Sequence, residues 1–158
     1  MDIGTLGELE VINLLGKKFP KKFPVWIPFK DKGLDFGLKT DKKFYRLQIK
    51  TSKFQKGKYF WFDLYGSKMV YSSDVIYVFV CWIPERHRLM GKKLNYIVIP
   101  SKKLEKWIKE GKIAHKQKNN NIFNIFIYPN EKEKKWLYKN KDKSLDLSRY
   151  WNNFQVFK

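Results

Sequence analysis

The chain has almost none of the residues that covalent or zinc-held scaffolds need. With one cysteine, Cys81, no internal disulfide is possible. Adding His87 and His115 still leaves too few soft ligands for a structural zinc site. Cys81 lies inside an apolar run, which points to a buried small hydrophobe and a reduced, cytoplasmic setting. No stretch approaches the roughly 18 consecutive apolar residues of a membrane-spanning helix. The opening Met-Asp-Ile-Gly-Thr lacks a basic region followed by an apolar one, so no secretory signal is expected. Glycine-rich phosphate loops are missing, as is any serine, histidine and aspartate pattern of a hydrolytic triad. Arginine is scarce: only Arg46, Arg86, Arg88 and Arg149 occur. Acidic residues are few, 15 against 34 lysines and arginines, for a net charge of +19.

What is present fits a folded, basic, aromatic domain. At 158 residues, 43% hydrophobic and 18% aromatic, the chain is long and apolar enough for one domain with a real core, spanning residues 1–158. The aromatic rings suffice to fill that core and leave some on the surface. The charge favours a polyanionic partner, nucleic acid first and an anionic membrane surface second. A lysine-rich proteome, where lysine serves solubility and ion pairing, would give the same excess without a nucleic-acid partner.

Periodicity orders the elements. Thr5–Leu15 reads as a helix with Leu6, Leu9, Ile12 and Leu15 on its packed face, widened by Val11 and Leu14, with Thr5 and Glu8 as a capping box and with Gly4 and Gly7 open to close approach by another backbone or a ligand. Val25–Phe29 reads as a short strand ended by Pro28, and Lys30–Gly33 as a turn. Tyr59–Tyr65 is strand-like by aromatic content. Val75–Ile83 is nearly continuous apolar, which suits a central strand covered on both faces. Pro84–Lys93 is a charged loop. Asn95–Pro100 is a further strand, Ser101 caps a helix ending near Gly111, and Ile122–Tyr128 is a strand. Trp136–Tyr138 forms a short element, and a last helix runs from Asp146 or Ser148 through Phe154. The expected class is α/β, bordering on α+β: a mixed sheet flanked by helices.

The most informative stretch is Lys32–Ser52. It reads as a hairpin turning at Asp41-Lys42, with Asp35 directly across from Gln48. Alternation then puts Asp35, Gly37, Arg46, Gln48 and Lys50 on one face and Leu34, Phe36, Leu38, Tyr45, Leu47 and Ile49 on the other. A one-residue slip would mix the two sets. Asp35 offers a hard oxygen, Gln48 a carbonyl oxygen and Lys50 a cation, and Glu8 could join them from the first helix. Divalent cations such as Mg²⁺ take oxygen ligands of this kind, and a nearby lysine stabilises charge on a phosphate.

Glu8 in a Gly-Glu-Leu-Glu helix, then Asp35, then, after twelve intervening residues, Gln48-x-Lys50 resembles the PD-(D/E)XK nuclease superfamily. The nearest likeness is to its group I intron-encoded homing endonucleases and to archaeal nucleases related to Holliday-junction resolvases. It covers the first part of the chain, Gly4 to Ser52. The resemblance implies a restriction-endonuclease-like fold and Mg²⁺-dependent hydrolysis of DNA phosphodiesters, with Mn²⁺ a possible substitute. Glu8, Asp35 and Gln48 would surround the metal and Lys50 would sit at the attacking water. Ser52 fills a position that resolvase-like members also give to a small polar residue. Lys53, Lys56, Lys58 and Lys68 would meet DNA phosphates. A homodimer or higher homo-oligomer would match two antiparallel strands. The chain departs from the pattern at Leu34, where the family has proline, and at Gln48, where a carboxylate is usual. That second departure keeps open a nucleic-acid-binding protein with the nuclease fold and no catalysis. A third possibility is a lysine-rich protein whose partner is another protein.

Overall fold

The computed structural model describes residues 2–21, 24–26, 33–84 and 93–158. Pro28, His87, the turn at 30–32 and most of the charged loop at 85–92 lie outside them.

The chain is α+β. Helix α1 (Ile3–Lys18) leads into β1 (Pro24–Trp26), β2 (Phe36–Lys39), β3 (Phe44–Lys53), β4 (Phe60–Tyr65), β5 (Val75–Trp82) and β6 (Leu94–Pro100). Helix α2 (Ser101–Lys109) follows, then β7 (His115–Lys116), β8 (Ile122–Asn130), β9 (Lys135–Asn140) and β10 (Lys143–Asp146). These strands build two sheets, where the sequence suggested one. The first has the order β1-β2-β3-β5-β6 and is mixed, because β3 and β5 run parallel. The second has the order β10-β9-β8-β4 and is antiparallel, with β7 alongside β8.

Strand β5 explains its own apolar run, because it faces two cores. Tyr77, Phe79 and Cys81 enter the space between the sheets, among Phe60, Phe62, Trp136 and Tyr138. Ile76, Val78 and Val80 enter the space under α1, with Val11, Leu15, Leu47 and Phe157. Cys81 is fully buried, and burial pushes its thiol pKa up. No helix among the described residues is long and apolar enough to cross a membrane.

Other expectations change in ways that matter for the site. Asp2, not Thr5, caps α1: its carboxylate accepts from the Thr5 backbone N–H at 3.1 Å and from the Thr5 hydroxyl at 2.7 Å. The helix therefore starts earlier, and Glu8 has no place in a capping box. Its buried line is Gly7, Val11 and Leu15, while Leu9 is 42% exposed. Gly7 sets this phase, since a Cβ there would fall 1.8 Å from the Thr51 hydroxyl of β3. Ser101 does not cap α2. Its hydroxyl donates to the Ser72 carbonyl at 2.7 Å and accepts from the Ser72 N–H at 2.9 Å. The final helix is replaced by two single 3₁₀ turns, Ser148–Tyr150 and Gln155–Phe157.

The link from β4 to β5 is fastened to β3 by an ion pair. Arg46 Nε lies 2.7 Å from one Asp74 oxygen and Nη2 lies 3.2 Å from the other. The arginine's hydrogen bond, with help from the Ser72 hydroxyl, holds the Asp74 carboxyl at about 2, below its ordinary 3.8. A depressed carboxylate stabilises the fold above its unfolded pKa and loses that contribution as pH falls through the folded one. Arg46→Ala should cost about 1 kcal/mol at neutral pH, allowing for the pair's partial exposure. In thermal melts, the gap between wild type and variant should close as the pH drops from about 4 to about 2. A gap that stays constant over that window would remove the pair from the account.

Candidate active site

The β2–β3 hairpin has the expected register over its regular part: Phe36 pairs with Leu47, Gly37 with Arg46, Leu38 with Tyr45 and Lys39 with Phe44. Thr40 closes the turn. Its N–H and hydroxyl both donate to the Lys43 carbonyl, and its oxygen accepts from the N–H groups of Lys42 and Lys43. This side-chain cap supports a two-residue turn that lacks the favoured Asn-Gly or Asp-Gly.

The pairing changes at Asp35. Its N–H donates to the Leu47 carbonyl at 2.8 Å, so Asp35 and Phe36 both stand against Leu47. That two-against-one arrangement is a β-bulge, which re-aims side chains where it occurs. Asp35 is therefore not directly across from Gln48. Leu34, expected beside Phe36, instead packs into the core between the sheets. The Asp35 carboxylate turns along the sheet edge and accepts a hydrogen bond from the Ile49 N–H. Beyond Leu47, β2 no longer pairs with β3, and Asp35 satisfies a donor that would otherwise be left without a strand partner.

Three charged groups converge on this notch. Glu8 is half-buried on α1, one residue after the Gly7 contact with β3. Burial raises its pKa most, and Asp35 raises it further, while Lys50 pulls it down. The Asp35 carboxyl is also raised by burial, against the lowering effects of the Ile49 N–H and of Lys50. Two desolvated carboxylates thus share the field of one lysine.

Gln48 lies in β3 two residues before Lys50 and in register with Tyr77 of β5. It is 2% exposed, and its Oε1 is buried with no hydrogen-bond partner. A buried, unsatisfied amide oxygen costs about 1–3 kcal/mol. Its Nε2 lies next to Gly33, where an added Cβ would come within 3.1 Å of it and 2.0 Å of the Lys68 carbonyl. Gly33 has φ +72°, a left-handed conformation suited to glycine. This glycine fastens the Lys68 turn to the back of the site. Only its place just before Leu34-Asp35 hinted at it in the sequence.

The arrangement offers two carboxylates and an orphaned amide oxygen as hard donors, with a cation beside them. Among the described residues no three His, Cys, Asp or Glu side chains gather into a metal-binding group, so a divalent cation here would need the Gln48 oxygen. The donor set fits Mg²⁺ or Mn²⁺, which accept oxygen ligands and leave positions for water and phosphate. The Gln48 Oε1 is buried without a hydrogen-bond partner, as are the Thr51 and Tyr138 hydroxyls and the Trp82 and Trp136 indole nitrogens.

The residues expected at a DNA surface divide into groups. Ser52 is 5% exposed, and its hydroxyl accepts from the Trp61 N–H at 3.0 Å and donates to the Lys53 carbonyl, so it joins the sheets rather than presenting to solvent. Lys53 and Lys68 are exposed, their ammonium groups over the rings of Trp82 and Tyr65 at 4.9 and 5.8 Å. Lys68 belongs to the site through its backbone at Gly33. Lys56 and Lys58 are exposed in the turn between β3 and β4. Lys58 lines a cleft with Tyr128 and Lys139 on the outer side of the second sheet. Arg46, expected on the site face, is committed to Asp74.

Fold and site together define an α+β protein in which Glu8 and Asp35 lie in the field of Lys50 where the β2–β3 pairing ends. No family model matches the chain, and neither any curated protein nor any solved structure is significantly similar to it.

Proposed function

We propose that the chain is a Mg²⁺-dependent endonuclease that hydrolyses DNA phosphodiesters, built on a restriction-endonuclease-like fold. The observation that carries this reading is the pair of half-buried carboxylates of Glu8 and Asp35 in the field of Lys50, with the unpartnered Gln48 oxygen two residues before that lysine on β3. Glu8, Asp35 and Gln48 would hold the cation, which when bound offsets phosphate charge and lowers the pKa of a bound water. The Ile49 N–H pins one oxygen of Asp35, which fixes the orientation of that carboxylate. Lys50 places its ammonium where charge builds on the phosphate oxygens and helps to orient the attacking water. The water oxygen bonds to phosphorus, the sugar oxygen leaves with the P–O bond pair, and a proton from the water ends on that oxygen. Lys53 and Lys68 supply the phosphate contacts that position the backbone. A two-fold homo-oligomer would bring one site to each strand of a duplex.

A second reading keeps the DNA binding and drops the chemistry. It is favoured by the amide at Gln48, since one carboxylate fewer weakens the attraction for Mg²⁺. One experiment separates the two. Purified protein is incubated with supercoiled, linear and branched DNA plus Mg²⁺ or Mn²⁺, and Mg²⁺ is titrated into the protein by calorimetry. The nuclease reading expects cleavage of at least one substrate, arrest by EDTA, a saturable heat of Mg²⁺ binding, and at least about 100-fold slower cutting by Lys50→Ala. Intact substrates with a silent titration leave the binding protein as the answer.

A further inference from the structure

The outer face of the second sheet is unusual for a surface exposed to water. Inward-facing positions of β4, β8 and β9 fill the core, and alternate positions of β4 and β8 carry rings outward. Trp61 packs on Phe126 at 5.5 Å between ring centroids, Phe126 on Tyr59 at 5.9 Å, and Tyr59 on Tyr128 at 5.4 Å. Four rings thus form one continuous path across β4 and β8. Trp61 is 41% exposed, and nearby Tyr65 is 46% exposed. The Trp61 indole is held in place, because its Nε1 donates to Asp63 at 2.8 Å and Asp63 also accepts from the amide of Asn124. Both donors occupy that carboxylate, and the acid that lines the clefts on this face, among the described residues, is Glu131, at the far end beside Lys132.

Lysines edge the path. Lys139 Nζ lies 6.0 Å from the centre of the Tyr128 ring, and Lys139 and Lys141 line a cleft of about 400 Å³ with Tyr59, Phe126 and Tyr128. A second cleft of about 390 Å³ continues past Tyr128 to Lys58 and Lys132. Rings in series beside cations match the chemistry of unpaired bases strung on a phosphate backbone, where bases stack on aromatic side chains and lysines follow the phosphates. A duplex hides its base faces and has little use for the rings. A second copy of this chain is a poor occupant of this face, since a two-fold contact here would bring Lys58, Lys132, Lys139 and Lys141 against the same lysines of the other copy.

We infer that this face is a platform for single-stranded DNA, separate from the cluster at Glu8, Asp35 and Lys50. The choice of DNA over RNA rests on the proposed activity of that cluster; the platform itself does not. The platform would hold a strand that has frayed or been displaced near the cutting site.

The test is fluorescence anisotropy in EDTA with the full chain and three labelled probes: a 15-nucleotide dT strand, the same length of rU, and a 15-base-pair duplex. The expected result is tighter binding of dT than of duplex at equal salt, with Trp61→Ala weakening dT binding at least about 10-fold. Lys139→Ala should reduce the slope of log affinity against log salt by about 0.7, one phosphate contact on a single strand. Circular dichroism melts of both variants guard against loss of fold. Equal binding by Trp61→Ala with its melt intact, or preference for duplex, overturns the platform, and preference for rU overturns its assignment to DNA. Because binding is read without metal, a chain that holds dT but cuts nothing refutes the nuclease and keeps the platform. A chain that cuts but ignores dT does the reverse.

Discussion

Asp35→Asn should cut DNA about 1000-fold more slowly than the wild type and melt at a higher temperature at neutral pH. The loss and the gain have one cause. Burial raises the pKa of Asp35, and burial together with Asp35 raises that of Glu8, so the folded chain holds both carboxylates ionised at a cost. A group whose folded pKa lies above its unfolded value contributes its stability below the unfolded pKa and loses it as pH rises through the folded one. At neutral pH that contribution is gone, and an uncharged isostere avoids the loss. Asparagine can still accept from the Ile49 N–H, so the edge of β3 keeps its partner. The melting temperatures of wild type and Asp35→Asn should draw together as pH falls through the carboxylate range and separate as it rises. Glu8→Gln should follow the same course more weakly, because Glu8 is less deeply buried than Asp35 and its desolvation is smaller. At limiting Mg²⁺, the acid limb of the cleavage rate should lie above the ordinary carboxylate range near pH 4. An Asp35→Asn protein that melts below the wild type at neutral pH, or cleaves at a comparable rate, would break the link between desolvation and function.

The β2–β3 hairpin of the first sheet was legible because its alternation is strict, and β5 because its apolar run is nearly continuous. Leu47 and Ile49 fall between Arg46, Gln48 and Lys50, and only one register keeps the apolar set under α1. The bulge at Asp35 was not legible. A bulge adds a residue without altering the local pattern of residue types, so Leu34 reads as a neighbour of Phe36 although it enters the other core. The second sheet was half hidden for a different reason. In Lys135-Trp136-Leu137-Tyr138-Lys139, lysine fills outward positions, and Trp136 and Tyr138 are the inward anchors. A strand with two inward residues in a lysine-dense region gives too short an alternation to separate from a loop. In α1, Val11, Leu15 and the close approach at Gly7 were legible, but Leu9 was placed on the packed face because it is apolar, and it is exposed. Glu8 looked like half of a capping box while the cap lay at Asp2. Residue types named the cluster at Glu8, Asp35, Gln48 and Lys50; what the backbone does around it needed coordinates.

Gly33→Ala tests whether that backbone matters. The residue adopts φ +72°, and a methyl group there would lie 2.0 Å from the Lys68 carbonyl oxygen and 3.1 Å from the Gln48 amide nitrogen. The amide end of Gln48 can swing, but the Lys68 carbonyl is backbone and moves only with its turn. The left-handed conformation and the collision together should cost about 2–4 kcal/mol, a fall in melting temperature of roughly 5–15 °C for a chain of this size. Gly57 provides the control. It has φ +63° and nothing within 4 Å of an added Cβ, so Gly57→Ala carries the conformational cost alone, about 1 kcal/mol. The difference between the two variants isolates the contact that holds the Lys68 turn against Gln48. If that contact sets the position of the amide, Gly33→Ala should also lower cleavage at temperatures where the protein remains folded, and Gly57→Ala should not. Equal melting temperatures for the two variants would mean that the Lys68 turn yields freely, and Gln48 would then owe its position to the β3 backbone alone.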